Sequence, residues 1–100
     1  MYKILIVDDD ATILEDNRSY FHAMGYEVIC ADTAETAQKI IISKTLDCVI
    51  LDVDLPGMSG FALCEKIREK TGIPIIFLSG YTEEENRIRG LSVGGDDYVC

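Results

Sequence analysis

Residues 48–60 read CVILDVDLPGMSG, and they carry the strongest structural signal in the chain. The first four residues are continuously apolar, which is typical of a short strand buried on both faces. Asp52 comes directly after this run. Pro56 and Gly57 then indicate a turn. Ser59 precedes the next apolar-periodic segment and is a suitable helix N-cap. The stretch therefore predicts a strand, a loop that begins with an acid, and a helix.

The same strand–helix unit repeats on both sides of this stretch. Two further runs, residues 4–7 and 75–78, are equally apolar. A fourth candidate strand, residues 27–30, is half polar, as an edge strand would be. The fifth candidate, residues 98–100, comes last in the chain. Successive strand–helix–strand units with short connections make right-handed crossovers and a parallel sheet. We therefore predict an α/β fold with an open, doubly wound parallel sheet. Ligands of such sheets bind beyond the carboxyl ends of the strands.

The helices are predicted from apolar side chains at 3.6-residue spacing and from capping residues. In the first, between Asp10 as cap and Gly25 as stop, six residues fall on one face: Ile13, Leu14, Asn17, Tyr20, Phe21 and Met24. The second opens at Asp32, with Glu35 three residues later, and buries Ala34, Ala37, Ile40 and Ile41. The third buries Phe61, Leu63, Cys64 and Ile67. The fourth begins at Thr82 with a weak apolar stripe, so we expect it to be the most mobile helix.

The composition indicates one acidic domain. The 100 residues include 18 Asp and Glu against 9 Lys and Arg, and the formal net charge is −9. The basic residues are scattered, which argues against direct nucleic-acid contact by this segment. An acidic excess suits a cation or a basic partner surface. The 4 cysteines are far apart and no apolar run could span a membrane, so we expect a cytoplasmic protein with reduced thiols and no membrane contact.

Acidic side chains follow two of the predicted central strands. Asp8 and Asp9 come directly after the first strand, Asp52 after the third, and Ser79 follows the fourth. If these strands are neighbours, their carboxyl ends converge on one pocket. Each pair of carboxylates about 4 Å apart would repel by about 4 kcal/mol at an effective dielectric near 20. Oxygen ligands without nearby His or Cys select a hard cation, so the sequence predicts a Mg²⁺ site.

These motifs together resemble the receiver domain of two-component response regulators. The matching segments are residues 4–10 (ILIVDDD), 49–60 (VILDVDLPGMSG), 77–80 (FLSG) and 95–99 (GDDYV). The resemblance covers the whole chain in order and spacing, and is similar to receivers joined to winged-helix DNA-binding domains. It implies a flavodoxin-like strand order, 2-1-3-4-5, a topology for which the chemotaxis receiver is a known example.

The resemblance also implies the residue roles. Asp52 would accept a phosphoryl group from a sensor histidine kinase and form an acyl phosphate. Asp9 and Asp52 would hold Mg²⁺, with Asp8 acting through water and the backbone carbonyl of Asp54 completing the protein ligands. The domain would be a signalling phosphoacceptor and not a turnover enzyme.

The switching part of the resemblance lies towards the end of the chain. Ser79 would bind a phosphoryl oxygen, and Tyr98 would turn towards the space that Ser79 leaves. Residues 82–100 would be a candidate dimer surface. A receiver also carries a Lys soon after the Asp-Tyr stretch, and no Lys follows Lys70 here. We therefore expect residues 1–100 to be a receiver domain incomplete at its C-terminus, truncated before its last helix.

Two other classes share parts of this pattern. Asp52-Val53-Asp54 resembles the nucleophile motif of haloacid-dehalogenase-type phosphatases, which would use Asp52 and Asp54. That fold places the motif on its first strand and needs a Lys between the Ser and the last acid pair, and neither holds here. A flavodoxin-like electron carrier has the same topology, but acids after the first strand would repel a flavin phosphate.

Overall fold

The computed structural model describes residues 1–78, 94–95 and 97–99. They form a five-stranded sheet in the order β2-β1-β3-β4-β5, and every pairing is parallel. The elements in chain order are β1 (Lys3–Val7), α1 (Ala11–Ala23), β2 (Glu27–Ala31), α2 (Ala34–Ser43), β3 (Cys48–Asp52), α3 (Gly60–Arg68), β4 (Ile75–Leu78) and β5 (Asp97–Val99). The predicted fold class and strand order are confirmed. The fourth predicted helix, beginning at Thr82, lies outside the described residues.

The strand register brings the carboxyl ends of the central strands together. Val7 of β1 lies opposite Leu51 of β3, and Asp52 lies opposite Leu78 of β4. Residues that follow β1 and β3 therefore emerge at the same edge of the sheet. This edge is where an open parallel sheet binds its ligands.

One face of the sheet, here called the α2/α3 face, is fully covered. Alternate strand residues point to it, and each of them is at most 1% exposed: Leu5, Val7, Val49, Leu51, Ile75 and Phe77. From α3, the four predicted residues Phe61, Leu63, Cys64 and Ile67 are buried against them, which confirms that face of the helix. In α2 the two alanines Ala34 and Ala37 are buried, whereas Ile40 and Ile41 are partly buried at the edge of the same cluster.

The opposite face, here called the α1 face, has a smaller core. Ile4, Ile6, Cys48 and Ile50 are buried there, and Leu14 and Phe21 of α1 pack against them. Of the six residues predicted to share one face of α1, three are exposed: Ile13, Tyr20 and Met24. At about 100° per residue the stripe is about 120° wide, and its two edges are the Leu14–Phe21 side and the Ile13–Tyr20–Met24 side. Only the first edge rests on the sheet.

The helix ends follow the capping chemistry of short polar side chains. Asp10 caps α1, Ser59 caps α3, and Gly25 follows the end of α1 with a φ of +93°, as predicted. The predicted cap of α2 is off by one residue. Thr33, not Asp32, accepts the hydrogen bond from the Thr36 backbone N–H. A β-branched Thr in extended conformation fits this cap, and Asp32 ends up exposed before it.

One thiol and the lengths of the helices are relevant to the remaining expectations. Cys30 is a free cysteine in the described part of the chain. No helix among the described residues combines the length and apolar character needed to cross a membrane.

Candidate functional site

The three consecutive acids after β1 have different environments. Asp8 is 7% exposed, and its backbone N–H donates to the carbonyl of Ala31 at 3.1 Å, which continues the pairing of β1 with β2. Asp9 is exposed. Asp10 turns to α1, where its Oδ1 accepts from the backbone N–H of Thr12 at 2.9 Å and of Ile13 at 3.2 Å. Asp10 is therefore a helix cap, and Asp8 and Asp9 are left for the pocket.

The acid after the β3 apolar run is held by the loop that follows it. Asp52 is the last residue of β3 and is half-buried. Val53 and Leu55 are buried in the core on either side of exposed Asp54, so the loop is anchored while it changes direction. Gly57 has a φ of +78°, a left-handed conformation that glycine adopts without steric cost, and this confirms the predicted turn.

The predicted acidic cluster is present in the structure. Asp8, Asp9 and Asp52 each offer one carboxylate oxygen, and these oxygens all lie within 4.8 Å of one another. Asp8 is additionally oriented by the backbone N–H of Asp10, which donates to its Oδ1 at 2.9 Å. The side chains come from two strands that are hydrogen-bonded neighbours, so the sheet itself fixes the cluster.

The electrostatics of the cluster are unfavourable without a cation. The pKa of Asp52 is raised to about 6, chiefly by burial and then by the neighbouring charges of Asp8, Asp54 and Asp9, while a backbone hydrogen bond from Asp54 opposes the shift. Burial likewise raises the pKa of Asp8, opposed by the hydrogen bond from the Asp10 backbone.

The ion pairs in the described part of the chain join other acids: Lys3–Glu27, Arg18–Glu15 and Lys39–Glu35. A half-enclosed set of carboxylate oxygens, in which Asp8 and Asp52 have raised pKa values, fits a hard divalent cation, which would relieve the mutual repulsion.

The other predicted site residues are described only in part. Asp54 lies two residues after Asp52 and is exposed, and its backbone carbonyl stays a predicted ligand. Ser79 lies outside the described residues. For Tyr98 the structure gives the backbone of β5, paired with Phe77 of β4, and the switch role stays a prediction.

The sequence reasoning did not single out Gly60. A Cβ atom placed on this glycine would lie 2.0 Å from the backbone oxygen of Asp52. The only available signal was a glycine directly after the capping Ser59, at a helix start that accepts most residue types.

Comparison with known proteins identifies the class to which this fold and acidic edge belong. The family model of the response regulator receiver domain matches residues 4–100, and the chain belongs to that family. It is 43% identical to the regulatory protein VanR of Enterococcus faecium over 97 residues, which cover 97% of this chain and 42% of that protein. The chain thus spans about two fifths of the length of this curated relative.

Solved structures agree with this assignment. A two-component response regulator from Clostridium difficile superimposes with a TM-score of 0.96 at 31% identity, over 99% of this chain and 82% of that one. The response regulator TrrA of Thermotoga maritima, solved in complex with Mg²⁺ and BeF, gives a TM-score of 0.89 at 36% identity, over 99% of this chain and 85% of that one.

The chain is therefore a receiver domain of the two-component response regulators, as the sequence motifs implied. These findings favour the receiver over the phosphatase alternative. In agreement with that, Asp52 ends β3 and Asp54 comes two residues later, so the motif does not lie on the first strand of the chain.

Proposed function

We propose that Asp52 is the phosphoacceptor of this receiver and takes its phosphoryl group from the phosphohistidine of a sensor histidine kinase. The observation that carries the proposal is the position of Asp52, half-buried at the end of β3 with Asp8 and Asp9 beside it. Asp10 is occupied as the cap of α1, and Asp54 is exposed. Asp52 is thus the acid that is both accessible to a donor and surrounded by groups able to hold a cation.

The chemistry of Asp52 follows from its surroundings. Its pKa of about 6 lies below neutral pH, so the carboxylate is mostly ionised and can attack phosphorus. Attack breaks the phosphorus–nitrogen bond of the phosphohistidine and leaves an acyl phosphate on Asp52.

Mg²⁺ is the proposed cofactor. Asp9 and Asp52 would hold it directly, Asp8 would act through water, and the carbonyl of Asp54 would supply a further oxygen. A bound Mg²⁺ neutralises charge on the phosphoryl oxygens, which is the main requirement for this transfer. The buried Asp8 fixes the arrangement, since its Oδ1 is already oriented by the Asp10 N–H.

The remaining roles are part of the same proposal. The domain acts as a signalling phosphoacceptor without continuous turnover. Ser79 and Tyr98 act as its switch, and residues 82–100 as a surface for a second copy. The free thiol of Cys30 supports a cytoplasmic location.

Intact mass spectrometry tests the phosphoacceptor. A version of the chain that continues through the expected Lys and last helix is incubated with acetyl phosphate and Mg²⁺. We expect one added phosphoryl group, lost in hydroxylamine because the linkage is an acyl phosphate. Asp52→Asn should add none, whereas Asp54→Asn, an exposed acid two positions away, should still gain the label. Label that persists in Asp52→Asn would refute the assignment. Continuous hydrolysis of p-nitrophenyl phosphate would instead indicate a phosphatase.

A further inference from the structure

Gly60, the first residue of α3, makes an unusually close backbone approach to Asp52. A Cβ atom there would lie 2.0 Å from the Asp52 backbone oxygen, 2.9 Å from its carbonyl carbon and 3.0 Å from the Cα of Val53. The atoms it would meet belong to the backbone and cannot rotate away. The Gly60 N–H donates to the carbonyl of Val53 at 2.7 Å, which fixes the two segments together.

The requirement for glycine at this position is one of space. Gly57 in the same loop has a positive φ and no atom within 4 Å of a built Cβ, so that position needs backbone freedom. Gly60 shows the reverse combination, since its φ is not positive and its Cβ position is occupied. The two glycines therefore serve different purposes, and only Gly60 touches the peptide of the phosphoacceptor.

Neither the backbone of Asp52 nor the start of α3 can move away from this contact easily. On one side, Asp52 is held in the sheet opposite Leu78 of β4. On the other, α3 is held by its Ser59 cap and by Phe61, which is buried with its ring centroid 5.2 Å from that of Phe77. Contacts of real Cβ atoms stay above 3.0 Å, so a methyl group must separate the two backbones by about 1 Å.

We propose that Gly60 is a positioning residue for the phosphoryl transfer: the missing side chain lets α3 set the depth at which the Asp52 carboxylate lies beside Asp8 and Asp9. The inference rests on the proposed role of Asp52. The three acid oxygens lie within 4.8 Å of one another, so a displacement of about 1 Å changes the cluster substantially. Misplacement on that scale can slow a positioned reaction about 100-fold.

The test compares Gly60→Ala with two matched variants in the extended chain. Gly72→Ala adds the same methyl group where no atom lies within 4 Å and φ is not positive. Ser59→Ala removes the cap of α3 and weakens the same helix end without adding an atom against Asp52. For each variant the phosphorylation rate with acetyl phosphate at saturating Mg²⁺, the Mg²⁺ affinity and the denaturant midpoint are measured.

The expected pattern separates positioning from stability. Gly60→Ala should lose at least 10-fold in rate and several-fold in Mg²⁺ affinity under conditions where circular dichroism shows it folded. Gly72→Ala and Ser59→Ala should stay within twofold of wild type in both, although Ser59→Ala lowers the midpoint. If Gly60→Ala does not fold in buffer, the comparison is made in an osmolyte that favours the compact state.

Two outcomes overturn the inference. One is a folded Gly60→Ala with wild-type rate and Mg²⁺ affinity; the other is a variant that stays unfolded in osmolyte, which would assign Gly60 to stability alone. Failure of the proposed function is distinguishable from both. In that case the wild type itself binds Mg²⁺ and takes up no phosphoryl group. The difference in Mg²⁺ affinity between wild type and Gly60→Ala then tests by itself whether Gly60 positions the acids.

Discussion

The two faces of the sheet differ in how completely the described helices cover them. On the α2/α3 face, Ile75 and Phe77 of β4 are 0% exposed, whereas their neighbours Ile76 and Leu78 on the α1 face are only partly buried. Beside those two residues lies a groove of about 430 Å³, bordered also by Asn17, Tyr20, Phe21 and Ile50. Similar apolar side chains alternate along one strand, so the difference comes from the helices. The tightly packed face is the one that holds α3, whose first residue, Gly60, lies against the backbone of Asp52.

The largest expected effect comes from matched truncations on adjacent residues of β4. Ile75→Ala should lower the free energy of unfolding by about 2–5 kcal/mol, because it leaves a cavity in a fully packed core. Ile76→Ala removes the same atoms beside the open groove and should lose less than about 1.5 kcal/mol. Urea denaturation of both variants measures the difference. Equal losses would mean that the α1 face is as tightly packed as the other.

A second prediction concerns the C-terminal end of α3 on the packed face. The Arg68 guanidinium donates to the carbonyl of Gly94 at 2.7 Å and to that of Ile73, so it ties α3 to the segment before β5. Arg68→Ala should lower the free energy of unfolding by about 1.5–3 kcal/mol, the range for hydrogen bonds to charged groups. Arg18→Ala, which removes an exposed pair with Glu15, should cost less than about 1 kcal/mol. Similar losses for Arg68→Ala and Arg18→Ala in thermal or urea unfolding would contradict the proposed stabilising role of the Arg68 hydrogen bonds.

The third prediction tests the acidic cluster at the carboxyl ends of β1 and β3, between the two faces of the sheet. The folded-state pKa of Asp52 is raised to about 6 from its usual 3.8, so the protonated form is favoured on folding. In EDTA, stability should therefore be fully present below about pH 4 and fall by about 1–2 kcal/mol as the pH rises through 6, after a discount for solvent screening.

Asp52→Asn should remove the part of this fall that comes from Asp52, leaving the smaller part from Asp8, and should leave stability at pH 7 unchanged or higher. Asp54→Asn, whose side chain is exposed, should retain the fall. Denaturant midpoints across this pH range decide the matter. A large loss of stability in Asp52→Asn would indicate a structural carboxylate instead.

The smallest expected effect is the gain from Mg²⁺. We expect dissociation constants from millimolar to sub-millimolar, because few protein ligands are available and the ion keeps several waters. At ten times that constant, Mg²⁺ should stabilise the fold by about 1.4 kcal/mol. Titration calorimetry of Asp9→Ala should show weaker binding, and equal affinity would exclude Asp9 as a ligand. Asp10→Asn is the matched control, because Asp10 caps α1.

The sequence predicted those parts of the molecule in which local chemistry and tertiary packing agree. The apolar run before Asp52 predicted a buried strand, and the strand order implied by the family motifs placed Asp8 and Asp52 together. Helix caps formed by short polar side chains, such as Asp10, were equally predictable from the sequence. Asp32 was assigned wrongly because two adjacent residues could both cap α2, and only the backbone conformation of Thr33 decides between them.

Other features depend on how closely the elements pack in the folded chain, which the spacing of residues in the sequence does not give. The 3.6-residue pattern gave the width of the α1 stripe, but not which edge of it would rest on the sheet, and Tyr20 lies on the exposed edge. The contact of Gly60 with Asp52 depends on how closely α3 approaches β3. The raised pKa of Asp52 likewise depends on burial that only the folded chain provides.

The central position of β1 has a consequence for how the protein is made. β1 lies between β2 and β3, yet β3 is synthesised only after α1, β2 and α2. A nascent chain that has released β1 through β2 therefore exposes one unpaired apolar edge of β1, which is open to unwanted pairing with another chain. Asp8 and Asp9 meet Asp52 only when β3 docks against that edge. Synthesis order thus delays the charge repulsion of the acidic cluster until long-range strand pairing is under way to oppose it.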